Sequence, residues 1–568
     1  MKSRLELDYL IIGAGAAGLQ LAYFLLRHGR DYLVLEAAEK PGSFWQKFPR
    51  HRQLISINKI YTGYEDRETQ LRWDWNSLLC DDDEMSVSRY SKRYFLKAGD
   101  YAKYLEDFAQ HFGLNIRCNT RVVKISKNDR FTVLDDRGNV YTSRCLTIAT
   151  GVSKPYIPDI PGIELTENYF NFPFDADDYI NQRVLIIGKG TSGFETANHL
   201  IETARVIHLC NPHSIQFAWK THFVGHLRAI NTPFLDTYVL KGQNSVLDAS
   251  IEKIEYKNGE DLVHIVFSNA DSQQAILAYD RVLCCTGFRF DSAIFDDSCQ
   301  PELAIDNKFP AMTSEWESLN VQDMYFAGTL MQVRDFHKTH SNVIHGFRFN
   351  IKALSHIWEE KYHGKSLPYQ ELPLKPQAIV DKAIARVSTS AAIFLQQGFL
   401  CDLIVICKSS QTARYYEGFP VDYVRESDFA KQEQYYTITM EFGHVVGDPF
   451  SVKREKDQDK AYLDVYLHPI IRRFSGAYLF REHHVAEHLE NDWRPGQHHP
   501  GLIDHLLHWQ QRILYDTCPQ SPSQNLLLNH LPPSGLPNSP NEHDVQNSQL
   551  PQSLLCQMPP GKSPCKEF

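Results

Sequence analysis

The chain has no C-x-x-C pair, although 12 cysteines are scattered along its 568 residues. That absence excludes a zinc ribbon and a thioredoxin-type dithiol, and the scatter gives no disulfide framework of a small secreted scaffold. Reduced thiols in the cytoplasm are the expectation. No apolar run reaches the ~18 residues of a transmembrane segment. Basic charge is not in excess either: 59 Lys and Arg stand against 69 Asp and Glu, and the net charge of −10 leaves no field for nucleic acid. The opening "MKSR" and the apolar stretch to Leu26 superficially resemble a signal peptide. Glu6 and Asp8 interrupt it, and the glycines inside it have a better use in a fold.

What is present is globular, with 43% hydrophobic and 12% aromatic residues. At ~150 residues per domain the length predicts about three or four domains. Residues 9–12 read as a short apolar strand, followed by Gly13, Gly15 and Gly18 and then a helix ending at Gly29. This is the order of a dinucleotide-binding turn. The first glycine turns the chain, the second lets backbone approach a pyrophosphate, and the third lets helix and strand pack closely. The helix N-terminus, Ala16 and Ala17 included, then faces the phosphates. A second strand ends at Glu36, 23 residues after Gly13, where an acid binds ribose hydroxyls.

The pattern recurs. Strand 184–187 leads into Gly188, Gly190 and Gly193, with Thr191 and Ser192 opening the next helix. Its second strand, 204–210, ends without an acid; Asn211 and His213 stand there instead. The missing carboxylate, with Arg205, His213 and Lys220 nearby, favours NADPH, with NADH as the alternative and a degenerate half that binds nothing as the competing reading. Two such units predict two nucleotides held face to face, one a flavin and one a nicotinamide.

"TIATG" (147–151) and "LCCTGFRFD" (283–291) match the strand-plus-glycine crossings of the two-dinucleotide-binding flavoproteins. "KPGSFWQKFPRHRQLISINK" (40–59), "DWNSLL" (74–79), "LRAIN" with "LDTY" (227–238) and "IHGFR" (344–348) are more specific. Through them the chain resembles the FAD-dependent oxidoreductase domain-containing proteins, relatives of class B flavin monooxygenases, over residues 5–360 and more weakly over 370–515. The resemblance implies an α/β fold of two Rossmann-like domains, for FAD and NAD(P), with a C-terminal α+β appendage. The expected boundaries are 1–160 and 296–365 for the FAD domain, 161–295 for the NAD(P) domain, 366–516 for the appendage and 517–568 for a disordered tail. The resemblance further implies cofactor contacts at Ala37, Gly42, Ser43, Val123, Thr150, Gly151, Gly287, Gly328 and Thr329. Thr329 departs from the aspartate usual after that last glycine, and residues 168–180 lack the glycine and histidine of the monooxygenase fingerprint. The relatives' lumenal location is not carried over.

Electrons leaving a reduced flavin need an exit. Cys284 and Cys285 are adjacent in a predicted buried strand, so their side chains point to opposite faces and a dithiol relay is excluded. Oxygen or an organic acceptor remains. Monooxygenation through a flavin hydroperoxide needs a dry pocket and a hydrogen-bond donor. Asn76 and Asn58 are the candidates, since the monooxygenases place an asparagine beside the flavin; either is also an ordinary turn residue. Trp45 packs over the cofactor or in plain core, and His345 sits under the flavin or in core. Arg50 and Arg52 neutralise phosphates or form a solvated turn. The expected partners are a small-molecule substrate and molecular oxygen, with a homodimer allowed. Rival readings are an oxidase or reductase without oxygen insertion, and a flavin-bearing protein that docks partners.

Beyond residue 365, one or two helices are predicted over 377–406, strands at 434–443 and 461–467, and a final helix at 501–514. His484 and His488 would share one face of a helix, but with His483, His498 and His499 they read as a solvated surface rather than a metal site. From Pro519 the Pro, Ser, Asn and Gln content predicts disorder.

Overall fold

A computed structural model describes residues 4–240, 242–407, 409–444, 447–448, 450–455 and 457–494. The predicted 501–514 helix, His498, His499 and the polar tail lie outside these residues. The first glycine motif follows β1 (Arg4–Ile12) and opens α1 (Ala16–Arg27), which leads to β2 (Tyr32–Leu35). Every residue of β2 is buried, as are Tyr9 to Ile12, because parallel strands are covered on both faces. β3 (Ile116–Arg117) and β4 (Val140–Ile148) extend the sheet in the order β3-β2-β1-β4, all parallel. The short strand Met324–Phe326 returns from far down the chain to pair with β4.

The second motif repeats this construction. β5 (Arg183–Ile187), α2 (Thr191–Leu200) and β6 (Val206–Asn211) are followed by β7 (Ser245–Lys257), and β8 (Arg281–Cys284) pairs with β5 on its other side. The two connections between the units cross as an antiparallel pair, Lys154–Pro155 against Phe288–Arg289. α3 (Ile344–His363) closes the first unit.

The C-terminal region is α+β and shares one continuous core with the first unit, from Leu7 to Phe474. Helices α4 (Pro376–Thr389) and α5 (Ala391–Leu395) precede an antiparallel sheet in which β9 (Leu400–Cys407) lies between β10 (Thr412–Pro420) and β11 (Tyr435–Glu441). β12 (His468–Ser475) and β13 (Tyr478–His484) continue it. Three expectations are corrected here. The helical reading fails from Leu400, where "LCDLIVIC" is a buried strand; a continuous apolar run does not by itself distinguish the two. Residues 461–467 are not a strand, because Gln458–Leu463 is a 3-10 turn and Asp464 Oδ1 accepts from Tyr466 N to start another. His484 ends β13 instead of lying on a helix with His488, so the four-residue spacing puts them on no common helical face.

Buried guanidinium groups bind this region to the first unit. Arg72, 1% exposed, donates to Val387 O (2.7 Å), Ser390 O (3.1 Å) and Asn491 O (3.1 Å), satisfying the carbonyl end of α4. Arg386 pairs with Asp402 at 2.8 Å and with Glu68 of the first unit at 2.6 Å.

Candidate active site

The two glycine turns are near copies. Gly13 and Gly188 take φ of +105° and +116°, where a side chain would be strained. Their amides donate to the ends of the neighbouring strands, Gly13 N to Leu35 O (2.8 Å) and Gly188 N to Cys210 O (2.9 Å). A Cβ on Gly18 would stand 1.9 Å from Gly13 O, and one on Gly193 2.3 Å from Gly188 O. Around the middle glycines, Gly15 and Gly190, a Cβ would meet nothing within 4 Å. Each turn therefore keeps open space at the mouth of a helix whose free N–H groups attract phosphate.

Around the first turn the structure assembles most of the expected cofactor contacts. Glu36 is buried, its Oε2 accepting from Ala14 N (2.8 Å) and its Oε1 from Ala38 N (2.9 Å) and Ser43 Oγ (3.3 Å), with Ala37 between. Gly42 N donates to Ala14 O. Ala149, just before Thr150 and Gly151, lies against Gly13, and a Cβ on Gly328 would stand 2.6 Å from that of Ala17. Thr329 Oγ1 donates to Asn342 O, fixing the turn before α3. Val123 lies at a bulge of strand Val122–Lys127 with its side chain exposed. At the second turn, Thr191 and Ser192 open α2, and Gly287 O accepts from Tyr156 N in the crossing between the units.

The asparagines differ. Asn58 Nδ2 is committed to Ser91 O (3.1 Å) and Arg93 O (3.2 Å), as a clamp between loops. Asn76 is fully buried; Asp74 Oδ1 accepts from its backbone amide, its Nδ2 donates to Ile57 O (3.0 Å), and its Oδ1 has no partner. Next to it, Trp75 lies 4.2 Å from the ring of His345, in the first turn of α3. His345 is 1% exposed with neither ring nitrogen partnered, and burial holds its pKa well below the usual range, so it is neutral. Tyr101, edge-on to Trp45 at 5.0 Å, is equally buried with a free hydroxyl. Unpartnered buried polar atoms cost about 1–3 kcal/mol each, and a polar ring system is what such a wall accepts. An open phosphate cradle, an anchored acid and this wall fit a flavin dinucleotide.

Other expectations change. Arg50 is no phosphate ligand: it donates to Tyr169 O (2.8 Å) and Phe172 O (2.6 Å) and lies 4.4 Å from the Phe172 ring, tying the first unit to the second. Arg228 answers from the second unit with a hydrogen bond to Ile55 O. Arg52 donates to Trp45 O. Arg205 sits at the start of β6, its amide bonded to Gln182 O, at the opposite end of the strand from the glycine turn. Cys284 and Cys285 are buried as expected, and burial pushes the Cys285 thiol up to about 12. All nine cysteines among the described residues are free.

Other site residues escaped the sequence reading. Glu195, two positions after Gly193, has its carboxyl raised to about 7 by burial; its closeness to the glycine turn was the available signal. Lys189, inside the turn, pairs with Asp248. Gln396 is fully buried, accepting on Oε1 from Thr339 Oγ1 (2.8 Å) and His340 N (3.1 Å) and donating through Nε2 to Ser341 Oγ (3.0 Å) and Asn350 Oδ1 (2.8 Å). It thereby secures the turn that leads into His345.

Residues 10–328 match the family described as pyridine nucleotide-disulphide oxidoreductase. The chain belongs to this family. The oxidoreductase is 33% identical to the FAD-dependent oxidoreductase domain-containing protein 2 of Mus musculus, over 89% of this chain and 81% of that one. It is 26% identical to the senecionine N-oxygenase of Tyria jacobaeae, over 56% and 66% respectively. Among solved structures, a flavin-containing monooxygenase from Stenotrophomonas maltophilia shares 20% identity, covering 62% of this oxidoreductase and 97% of itself, with a TM-score of 0.46. No helix among the described residues is long and apolar enough to cross a membrane.

Proposed function

We propose that this oxidoreductase binds FAD at the Gly13 turn, accepts hydride from a nicotinamide dinucleotide at the Gly188 turn, and passes the electrons to molecular oxygen, oxygenating a small organic substrate. The observation that carries the reading is the pair of matching open turns, at Gly15 and Gly190, in one compact unit. Bound FAD would supply the two-electron relay between nicotinamide and acceptor. Gly15 and the first turn of α1 would take its pyrophosphate, and Glu36 the adenosine ribose. His345 and Asn76 Oδ1 would line its ring, with neutral His345 able to donate or accept one hydrogen bond without adding charge. The raised, buried thiols at 284 and 285 offer no dithiol exit, which favours oxygen as acceptor. The senecionine N-oxygenase among the relatives supports the same direction. The unpaired thiols suit the cytoplasm.

The test is oxygen bookkeeping under labelled dioxygen. The purified yellow protein, reduced by nicotinamide dinucleotide and offered a panel of small amines, thioethers and ketones, is expected to transfer one labelled atom to a product. Stoichiometric hydrogen peroxide with every compound would replace this reading with an oxidase.

A further inference from the structure

The two nucleotide-binding units differ in one place where their chemistry should match. Glu36 follows Gly13 by 23 residues and Asn211 follows Gly188 by the same interval, each just beyond the strand residue that accepts the glycine amide. Asn211 is thus the counterpart of Glu36, and it carries no charge. The adjoining strand makes up the difference. In the first unit Leu35 pairs with Arg117, which puts Cys118 beside Glu36. In the second, Asn211 pairs directly with Asp248 of β7. The carboxylate has moved one strand sideways, from the second strand to the third, and remains at the end of the sheet that faces the glycine turn.

Its surroundings fix what it can hold. Asp248 Oδ2 accepts from Ser214 Oγ at 3.1 Å, and its Oδ1 is paired with the ammonium of Lys189, whose side chain is 3% exposed. Lys189 lies between Gly188 and Gly190, so the pair runs from the turn across the end of β6 to β7. Asp248 itself keeps 24% of its side chain in solvent. A hydroxyl can donate to such a carboxylate. A 2′-phosphate, bearing nearly two negative charges at neutral pH, would meet it as a like charge unless Lys189 abandoned its partner. Arg205, the arginine that favoured a phosphate, is at the far end of β6, and His213 and Lys220 are exposed side chains outside the pair.

We infer that the Gly188 turn selects a dinucleotide with a free adenosine 2′-hydroxyl, NADH over NADPH, and that Asp248, held by Lys189, is the residue that decides it. This rests on the reading of the second turn as the nicotinamide site.

Calorimetric titration of the flavin-loaded full chain with NAD+ and with NADP+ tests both without turnover. NAD+ is expected to bind at least tenfold more tightly. Asp248→Asn should weaken NAD+ severalfold and strengthen NADP+, closing the gap to within about threefold, while flavin content and melting temperature report that the variant is folded. Lys189→Met should widen the gap by leaving the carboxylate unopposed. Equal or tighter binding of NADP+ by the unmodified protein overturns the inference, as does an Asp248→Asn variant whose gap between the two nucleotides is unchanged. Heat from neither nucleotide, with flavin still bound, would overturn the inference and the assignment of the second turn together.

Discussion

His226 of the second unit and His337 of the first meet across the seam between them, Nε2 to Nδ1 at 3.0 Å. Thr221 Oγ1 stands 2.8 Å from the other nitrogen of His226. One imidazole must donate and the other accept, so the bond requires at least one neutral ring. Burial lowers the pKa of both, and for His226 the neighbouring His337 adds to it.

The seam is therefore predicted to loosen in acid. A histidine whose folded pKa is depressed contributes stability above its unfolded pKa of about 6.5 and loses it as the pH falls from there to the lowered folded pKa. Hydrogen exchange across residues 221–226 and 335–341 should be faster at pH 5.5 than at pH 7.5. His337→Gln, which keeps a neutral donor and acceptor, should flatten that difference; an unchanged pH dependence would remove the pair as its source.

The two kinds of glycine in each turn separate folding from binding. Gly15→Val projects into open space, and the variant should be expressed, folded and colourless. Gly190→Val should stay yellow and fail to be reduced by nicotinamide dinucleotide. Gly18→Ala, placing a methyl 1.9 Å from Gly13 O, should give little soluble protein. Absorbance at 450 nm and a melting curve distinguish the three.

Glu195 gives the site a titration near neutrality. With its carboxyl raised to about 7 by burial, it is neutral below that pH and charged above it. Because the unfolded carboxyl ionises near 4.5 while the folded one stays neutral, stability falls as the pH rises from 4.5 to about 7, and the new negative charge opposes an anionic dinucleotide above 7. Dissociation constants measured from pH 6 to pH 8.5 should rise across pH 7, and Glu195→Gln should abolish the inflection.

Gln396 couples the C-terminal region to the turn before His345, beside the proposed flavin site, without touching the glycine turns. Gln396→Leu leaves the His340 amide without its acceptor and Asn350 Oδ1 without its donor, while Thr339 keeps Asp335 and Ser341 keeps Asn350, at a cost on the order of 3 kcal/mol. The melting temperature should fall by several degrees and bound flavin should exchange faster, with nicotinamide affinity in the retained holoenzyme unchanged. Flavin retention equal to the parent's would show that the turn holds without it.

The glycine turns could be read from sequence because their chemistry is local: strand, turn and helix lie within about 20 residues, and Glu36 is at a fixed interval. Asp248 was invisible for the opposite reason. Its place beside Asn211 follows from the pairing of two strands separated by residues 212–244, and no spacing rule spans that distance. Arg50 misled similarly, because its acceptors are carbonyls 119 and 122 residues away. At 400–407 the composition suited strand and helix equally, and the sheet on either side decided. Asn58 and Asn76 looked alike in sequence; only the loops around them show that one amide nitrogen is committed to two carbonyls and that the other side chain keeps a free oxygen.

Arg72 adds a requirement of timing. Its three carbonyl acceptors are made 315, 318 and 419 residues after it. On the ribosome, at roughly 5–20 residues per second, this guanidinium waits tens of seconds for them and must stay hydrated meanwhile. The two glycine-turn units therefore emerge with one flank unfinished, and a nascent chain halted before residue 387 holds none of the three carbonyls that this guanidinium needs.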